Sequence, residues 1–362
     1  MKRENEIPNS KNRRSFLKGT LTAGAAVAGA SALSSQNLLA QRPGRLSNGD
    51  AAILKFLAAA ELIEADLWQQ YAELGGVTTG AQNGYQNALQ QLDGDGSQYI
   101  SSNTLDEQSH AKFLNAYLVM RGQQPVNFDQ FRTLPGSQAT GSARIKRLTS
   151  LTQLSVDTSW YTRYRSSTNP DFGATFPQAI PQLANGVFSA IPITDADFGP
   201  ADHAQALANT AAFHFGFIDQ GGASLYATLG QLVSDAEVLR VVLSIGGDEV
   251  AHFLEWVDFA GNAVQTPLAP LTDPNTGLVF PDFNATGNPL LQTNLIFPVP
   301  CEFIHPSLPH CAVIRPTGQG QINAVDFTNA LTADGLFIGQ SPSFTQLLLE
   351  MAGAADEAAL RR

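Results

Sequence analysis

Basic residues are scarce in this sequence, which has 21 Lys and Arg against 32 Asp and Glu among 362 residues. The net charge of −11 argues against nucleic acid or an anionic membrane surface as a partner, and it favours cations. Long apolar runs are scarce as well, and none beyond the N-terminal segment is long enough to span a bilayer. We therefore expect one large domain, with or without an appendage, and no stable membrane span.

The first forty residues have the features of an export signal. A twin-arginine pattern occupies residues 13–18, and an Ala- and Gly-rich run over residues 21–33 is too short for a lasting membrane span. We predict a Tat signal peptide over residues 1–40, cleaved after Ala32 or Ala40, with an uncleaved anchor as the alternative. The protein is then periplasmic or extracellular, and the Tat export machinery is a partner. Loss of six of the 21 basic and two of the 32 acidic residues leaves a net charge near −15.

Only two cysteines are present, Cys301 and Cys311. In an exported protein, two cysteines at this spacing predict a short-loop disulfide. His305 and His310 lie between them, so a zinc cluster of all four side chains is the alternative. Their spacing is not that of a standard zinc finger, which favours the disulfide.

Apolar residues at helical spacing predict four long helices, and the first, second and fourth also have a capping residue before them or a glycine after them. Asp50 is the predicted cap of the first helix, and Ser234 or Asp235 caps the fourth. The predicted ranges are 51–74, 97–121, 201–233 and from the cap at 234 or 235 to 260. Shorter helices are predicted near 83–92, 142–162, 323–333 and 343–360.

The connections between the long helices define the fold class. A short loop joins the first two helices, residues 122–200 form a long crossover, and a tight turn joins the last two. The turn makes the third and fourth helices antiparallel, whereas the crossover lets the second and third run in the same direction. This order predicts an all-α core, a four-helix bundle over residues 50–261 with one long crossover. Residues 262–362, rich in Pro and Gly, are predicted to form an irregular C-terminal extension with a terminal helix.

Two of the six histidines close the same motif, D-E-x-x-H, in the second and fourth predicted helices. The first copy contains Glu107 and His110, and the second contains Glu249 and His252. Glu and His three residues apart lie on one face of a helix, one turn from each other. With one carboxylate from each of the other two helices, these residues supply a dinuclear site for two Fe or two Mn ions.

The first and third helices offer the remaining carboxylates. Glu61 and Glu64 are alternative ligands on the first helix, and Asp219 is the candidate on the third. Asp106 and Asp248 precede the motif glutamates, and each is a candidate to accept the outer N–H of the other copy's histidine. A role as ordinary surface aspartates is the alternative for both.

Three further polar side chains of the third helix lie at different distances along the helix from Asp219. Tyr226 lies seven residues after Asp219, on the same face, and is expected beside the ligands. His203 and His214 lie one or more turns outside the layer, so they are expected to be capping or core histidines.

Two helix segments carry a resemblance to a known family. Residues 60–68, AELIEADLW, resemble the first-helix motif E-x-L-E-A-x-F-Y of the secreted, desiccation-related branch of the ferritin-like superfamily. Residues 219–222, DQGG, followed by Tyr226, resemble its third-helix motif E-D-x-G-x-x-x-Y, and both E-x-x-H motifs match directly. The similarity covers about residues 50–260 without much of the crossover. It implies as ligands Glu61, Glu107, His110, Glu249 and His252, with Asp219 in place of the usual Glu and with Trp68 in place of the usual Tyr.

The resemblance implies a site more firmly than a reaction. A redox enzyme that handles peroxide or oxygen, as a di-iron or di-manganese catalase or ferroxidase does, is the first expectation, with metal ions and a small oxidant as partners. The alternative is a non-catalytic stress-protective or metal-binding envelope protein, because the shorter Asp219 can leave one metal weakly held. A homo-oligomer is compatible with either function, but the long crossover and extension disfavour a hollow storage shell.

Overall fold

The computed structural model describes residues 44–168, 176–313 and 322–361, so the predicted signal peptide lies outside the described residues. It confirms the all-α four-helix bundle with a long crossover. The helices are α1 (Asn48–Gly75), α2 (Gly84–Leu92), α3 (Gly96–Met120), α4 (Ser159–Tyr164), α5 (Pro181–Asn185), α6 (Ala201–Gly230), α7 (Ala236–Asn262), α8 (Ala324–Ala333) and α9 (Pro342–Asp356). Within these ranges no helix has the length and apolarity needed to cross a membrane.

The four long helices α1, α3, α6 and α7 pair as two hairpins. The first is α1 with α3, and the second is α6 with α7. Arg121, at the end of α3, forms ion pairs with Asp235 (2.8 Å) and Glu237 (3.2 Å) at the start of α7. Because the end of one helix meets the start of the other, α3 and α7 run antiparallel across the two hairpins. The D-E-x-x-H motifs of these two helices are thereby brought to the same level.

The predicted cap of α1 was wrong. Ser47 caps the helix, because its hydroxyl oxygen accepts a hydrogen bond from the Asp50 N–H at 3.0 Å. The Asp50 carboxylate instead accepts two hydrogen bonds from Ser234, one from its N–H (2.8 Å) and one from its hydroxyl (2.6 Å). Ser234 lies in the turn between α6 and α7, so Asp50 joins the two hairpins at one end of the bundle.

The helix predicted near 142–162 is absent except for α4. Leu134 and Arg147 form an isolated antiparallel bridge, as do Leu154 and Phe188, and the residues around these bridges are irregular. Leu148, Leu151 and Trp160 are buried, whereas Ile145 is 53% exposed, so the apolar spacing that predicts a helix does not mark one buried helix face. Contact with the bundle determines the conformation here, and it overrides the local pattern.

Asp66 of α1 holds the crossover against the bundle. Its buried carboxylate accepts hydrogen bonds from the N–H groups of Leu148 and Thr149, both at 3.0 Å, and from the Thr149 hydroxyl at 2.8 Å. Arg132 adds an ion pair at 2.5 Å. Asp66 is therefore an anchor for the crossover and is unrelated to the predicted metal ligands of the same helix.

The C-terminal extension packs on α1 and α6. It contains a two-stranded antiparallel sheet, β1 (Leu271–Thr272) and β2 (Val279–Phe280), followed by α8 and α9. Asp334, just after α8, lies 3.1 Å from the Nε2 of His214, and the His214 Nδ1 lies 2.8 Å from the Tyr71 hydroxyl. His214 is fully buried, so it is a core histidine with two partners and not a ligand. His203 likewise lies between Asp273 (2.9 Å) and Asp197 (3.3 Å).

The predicted disulfide is not formed in the structure. Cys301 and Cys311 face each other in an isolated antiparallel bridge and exchange two backbone hydrogen bonds of 3.1 and 3.0 Å. Residues paired in this way have Cα atoms about 5.5 Å apart, which is within disulfide range. The alternative zinc cluster with His305 and His310 is not among the groups of potential ligands that converge in the described residues.

We predict that Asp66→Asn lowers the free energy of unfolding by about 3 kcal/mol, because it breaks the ion pair with Arg132 and turns an NH2 group either toward Arg132 or toward the backbone N–H groups. Asp129→Asn is the matched control, since Asp129 faces the same Arg132 from the surface at 3.6 Å. The control should change stability by less than about 1 kcal/mol. Equal effects of both substitutions in urea unfolding would contradict the anchoring role.

Candidate metal centre

Each of the four long helices places one carboxylate at the same level of the bundle interior. These are Glu61 of α1, Glu107 of α3, Asp219 of α6 and Glu249 of α7, and none is more than 1% exposed. Ionised carboxylates are expensive to bury unless they are paired or bind a metal. Their convergence therefore requires compensating positive charge from protons or cations.

A first cluster of potential ligands surrounds His110. Its Nδ1 atom lies 3.3 Å from Glu61 Oε2, 3.4 Å from Glu107 Oε2 and 3.8 Å from Glu249 Oε1. One potential ligand atom from each of the four residues lies within 4.8 Å of the others. Three carboxylates and one imidazole at this spacing suit a divalent iron or manganese ion.

A second cluster lies beside the first. Asp219, Glu249 and His252 bring their potential ligand atoms within 4.8 Å of one another, and His252 Nδ1 lies 3.1 Å from Glu107 Oε1. Glu249 thus belongs to both clusters, and Glu107 contacts both histidines through different oxygens. The imidazole rings of His110 and His252 are 6.5 Å apart, between centroids, at an angle of 32°. The arrangement has two cation-sized positions that share two carboxylates.

The outer nitrogens of the histidines meet the two motif aspartates in a crossed arrangement. His110 Nε2 lies 3.1 Å from Asp248 Oδ2, and His252 Nε2 lies 3.4 Å from Asp106 Oδ2. Each aspartate therefore serves the histidine of the other D-E-x-x-H motif. An aspartate that accepts the outer N–H fixes the tautomer and leaves Nδ1, which faces the carboxylates, available for a cation.

The structure distinguishes the two candidates on α1. Glu61 belongs to the first cluster, and its Oε1 accepts a short hydrogen bond from the Tyr226 hydroxyl. Glu64 is also buried, at 4% exposure, but it belongs to neither cluster. Glu61 is therefore the better-placed ligand, with Glu64 as an additional negative group beside the centre.

Several carboxylate oxygens of the site have no hydrogen-bond partner and are therefore available to coordinate a metal. Both oxygens of Asp219 and of Glu249 are buried without a hydrogen-bond partner of normal geometry, as is one oxygen each of Glu61, Glu64 and Glu107. A buried polar atom without a partner costs about 1–3 kcal/mol, and native proteins contain few of them. The concentration of such oxygen atoms at one place suits cations that prefer oxygen ligands. The residues therefore fit a bound iron or manganese ion.

Gly222 makes room for one of the shared carboxylates. A Cβ atom at this position would lie 2.4 Å from Glu249 Oε2, closer than atoms can pack. Glycine in the middle of a helix is about 1 kcal/mol less favourable than alanine, so its presence in α6 needs a reason. The Glu249 carboxylate provides that reason, and the sequence reasoning missed this role of Gly222.

Burial and repulsion between neighbouring carboxylates shift the pKa values of the acidic side chains at this site. Burial, with the neighbouring charge of Glu107, raises the pKa of Glu61 to about 8, and burial raises the pKa values of Glu64, Asp219 and Glu249 well above their usual range. Burial also opposes ionisation of Glu107, but hydrogen bonds with His110, His252 and Glu61 outweigh it and lower its pKa to about 2.

The two imidazoles favour their protonated forms. Burial opposes their charge, yet hydrogen bonds with Glu107 and Glu61 raise the pKa of His110 to about 10. Bonds with Asp106 and Glu107 raise the pKa of His252 to about 11. Protons therefore supply positive charge to the metal-free site, and a cation that binds there must displace them.

Aromatic side chains close the bundle interior two turns from the ligands. Trp68 follows Glu61 by seven residues, and Trp256 follows Glu249 by seven. Their rings are stacked with centroids 5.3 Å apart, and Phe215 lies against both, at 4.9 and 4.5 Å. This dry layer limits the access of water from that side and strengthens electrostatic interactions within the site.

We predict that the metal-free protein loses stability as pH rises. The pKa of Glu61 is higher in the fold (about 8) than its usual 4.5, so its contribution is complete below pH 4.5 and is lost as pH passes about 8. The histidine contributions are complete below pH 6.5 and are lost as pH passes about 10 to 11. Thermal unfolding of metal-free protein over this range tests the sign, and stability that rises with pH would contradict it.

We predict that Gly222→Ala lowers the free energy of unfolding by about 2 kcal/mol, because the added methyl group clashes with the Glu249 carboxylate. Gly247→Ala in the middle of α7 is the control, since its Cβ would meet nothing within 4 Å. Helix propensity alone should make the control more stable by up to about 1 kcal/mol. Stabilisation by both substitutions in chemical denaturation would refute the packing role of Gly222.

The comparisons with known proteins agree with this geometry. A family model described as a ferritin-like domain matches residues 49–257, which contain all four long helices except the first residue of α1 and the last turn of α7. No curated protein matches the chain. No solved structure matches it. The family model spans more than half of the sequence and includes every residue of both ligand clusters, so this chain belongs to the ferritin-like domain family.

Proposed function

We propose that this chain binds two Fe or two Mn ions in a dinuclear centre and uses them in a redox reaction with peroxide or oxygen. The observation that carries the proposal is the pair of overlapping ligand clusters with shared Glu107 and Glu249. One buried carboxylate cluster is compatible with a structural cation. Two clusters that share their carboxylates are the arrangement expected for paired metals in a bundle core.

The residues divide naturally between the two positions. His110 and Glu61 would hold the first cation, and His252 and Asp219 would hold the second. Glu107 and Glu249 lie within reach of both positions and would be shared between them. Bound Fe or Mn would supply Lewis acidity and one-electron redox chemistry. The protein holds the ligands in a cavity from which water is largely excluded, and its hydrogen bonds control the protonation of those ligands.

Side chains around the ligands form hydrogen bonds that orient them and control where their protons lie. Asp248 and Asp106 accept the outer N–H of the two histidines and are partly exposed, so they connect the centre with solvent. Tyr226 donates to Glu61 and thereby holds the other oxygen of that carboxylate toward His110. These contacts orient the ligands before a metal binds, which lowers the reorganisation that binding requires.

We further propose that the mature protein acts in the periplasm or outside the cell and is related to the desiccation-associated branch of the family. The support is the twin-arginine pattern at residues 13–18 and the motif of residues 60–68. Two metals inserted before export by a route for folded proteins fit a centre that needs all four helices.

A non-catalytic metal-binding or protective function is the second candidate. It is favoured by Asp219, because a side chain one methylene shorter than Glu would hold a cation at the second position less firmly. In that case the protein would bind metal without completing a reaction cycle. Fully metallated protein that is inert to peroxide, oxygen and Fe(II) would favour this candidate.

The decisive measurement is the metal content of the purified protein, with Glu107→Gln as the test variant. We expect about two Fe or Mn ions per chain in the wild type and at most about one in the variant, because an amide cannot bridge two cations as a carboxylate does. Glu350→Gln, an exposed change on α9, should retain both. Equal metal content in the wild type and Glu107→Gln would refute the dinuclear proposal.

A further inference from the structure

We propose that an open groove between α3 and α7 binds an organic anion with an apolar body, placed so that its apolar end reaches the candidate metal centre. This deepens the proposed function by naming a class of substrate, and it rests on that function only for the role of the bound molecule. The binding itself depends on the groove and can be measured without metal.

The groove has the size and lining of a small-molecule site. Its volume is about 880 Å³, within the range of about 300–1,000 Å³ typical of ligand pockets. A water molecule occupies about 30 Å³ in the liquid, so a small oxidant such as peroxide needs only a small fraction of this space. The apolar part of the lining comes from both helices: Phe113, Tyr117 and Met120 of α3, and Val241 and Ile245 of α7.

The two ends of the groove differ in chemistry. His110 and Asp248 line one end, and His110 is a member of the first ligand cluster. Arg240 and Glu237 line the other end. Arg240 and Asp248 are eight residues apart on α7, which corresponds to about 12 Å along the helix. A molecule that contacts both ends is therefore elongated.

The charges at these ends favour an anionic head group. Glu237, the acid at the same end as Arg240, already has a cationic partner, since Arg121 lies 3.2 Å from it. Arg240 forms no ion pair with the acidic side chains of the described residues, and it is exposed at the rim. A carboxylate beside Arg240 would complete an ion pair, while an apolar chain would cover Phe113 and Met120.

Two large apolar side chains of the groove are exposed to solvent. Phe113 is 51% exposed and Met120 is 56% exposed. Phe113 lies nearly parallel to the buried Tyr117, with centroids 6.1 Å apart and an angle of 14°, so the apolar wall that faces water consists of Phe113 and Met120. Removing this wall from water is the main favourable term for an apolar ligand.

The test uses calorimetric titration of metal-free protein with decanoate and, as its uncharged counterpart, decanol. We expect one decanoate to bind per chain. Arg240→Gln should weaken decanoate binding about two- to five-fold, as the loss of an exposed ion pair does, and should leave decanol binding unchanged. High salt should remove most of the difference between wild type and variant. Lys112→Gln removes the same charge from α3 outside the groove and should have no effect.

A second variant blocks the groove. Ser244 is exposed and lines it, so Ser244→Trp should fill the space and abolish binding of both ligands while the helix content remains. Lys112→Trp adds the same bulk outside the groove and should bind as the wild type does. Unchanged binding in Ser244→Trp, or no binding of decanoate to the wild type, overturns the inference.

Two further results would separate the possible failures. If the wild type self-associates and Ser244→Trp makes it monomeric without any decanoate binding, a second copy occupies the groove and the inference fails. Metal titration of the same samples tests the proposed function independently. Metal binding without decanoate binding refutes only the groove ligand, whereas decanoate binding without metal binding refutes only the dinuclear centre.

Discussion

Repulsion among four carboxylates buried at one level is the constraint on which the rest of this structure depends. Glu61, Glu107, Asp219 and Glu249 come from four different helices and are almost completely removed from water. Hydrophobic burial along the rest of the helices must offset the cost of bringing them together. The rest of this free-energy cost is offset by positive charge. In metal-free protein that charge comes from protons, and cations can replace those protons. The bundle is therefore a scaffold that carries a local electrostatic penalty at its centre.

The contacts that keep this level in register lie outside it. Asp50 joins the two hairpins at one end through Ser234, and Arg121 joins them again through Asp235. Asp66 fastens the crossover along α1. Each of these contacts uses a buried or half-buried charge with several hydrogen bonds, so each specifies one geometry. Apolar packing alone would allow small slips of one helix past another, and slips of a fraction of a turn would separate the ligand atoms.

Much of the fold could be predicted because its signals are local. The long helices have regular apolar spacing, and the repeated D-E-x-x-H motif places Glu107 and Glu249 on matching faces. Other features depend on contacts distant in sequence. The crossover is held against α1 by hydrogen bonds to Asp66, and the Glu249 carboxylate explains the small residue at Gly222. The choice between Glu61 and Glu64 required coordinates too, since both lie on the inner side of α1 and differ by a single turn.

The crossed pairing of histidines and aspartates makes each hairpin incomplete. His110 relies on Asp248 of the opposite hairpin, and His252 relies on Asp106. Neither half of the molecule contains one entire coordination sphere, although the two halves repeat the same motif. Docking of the two halves therefore assembles the whole ligand set, and a cation that binds to residues of both halves would stabilise the docked arrangement.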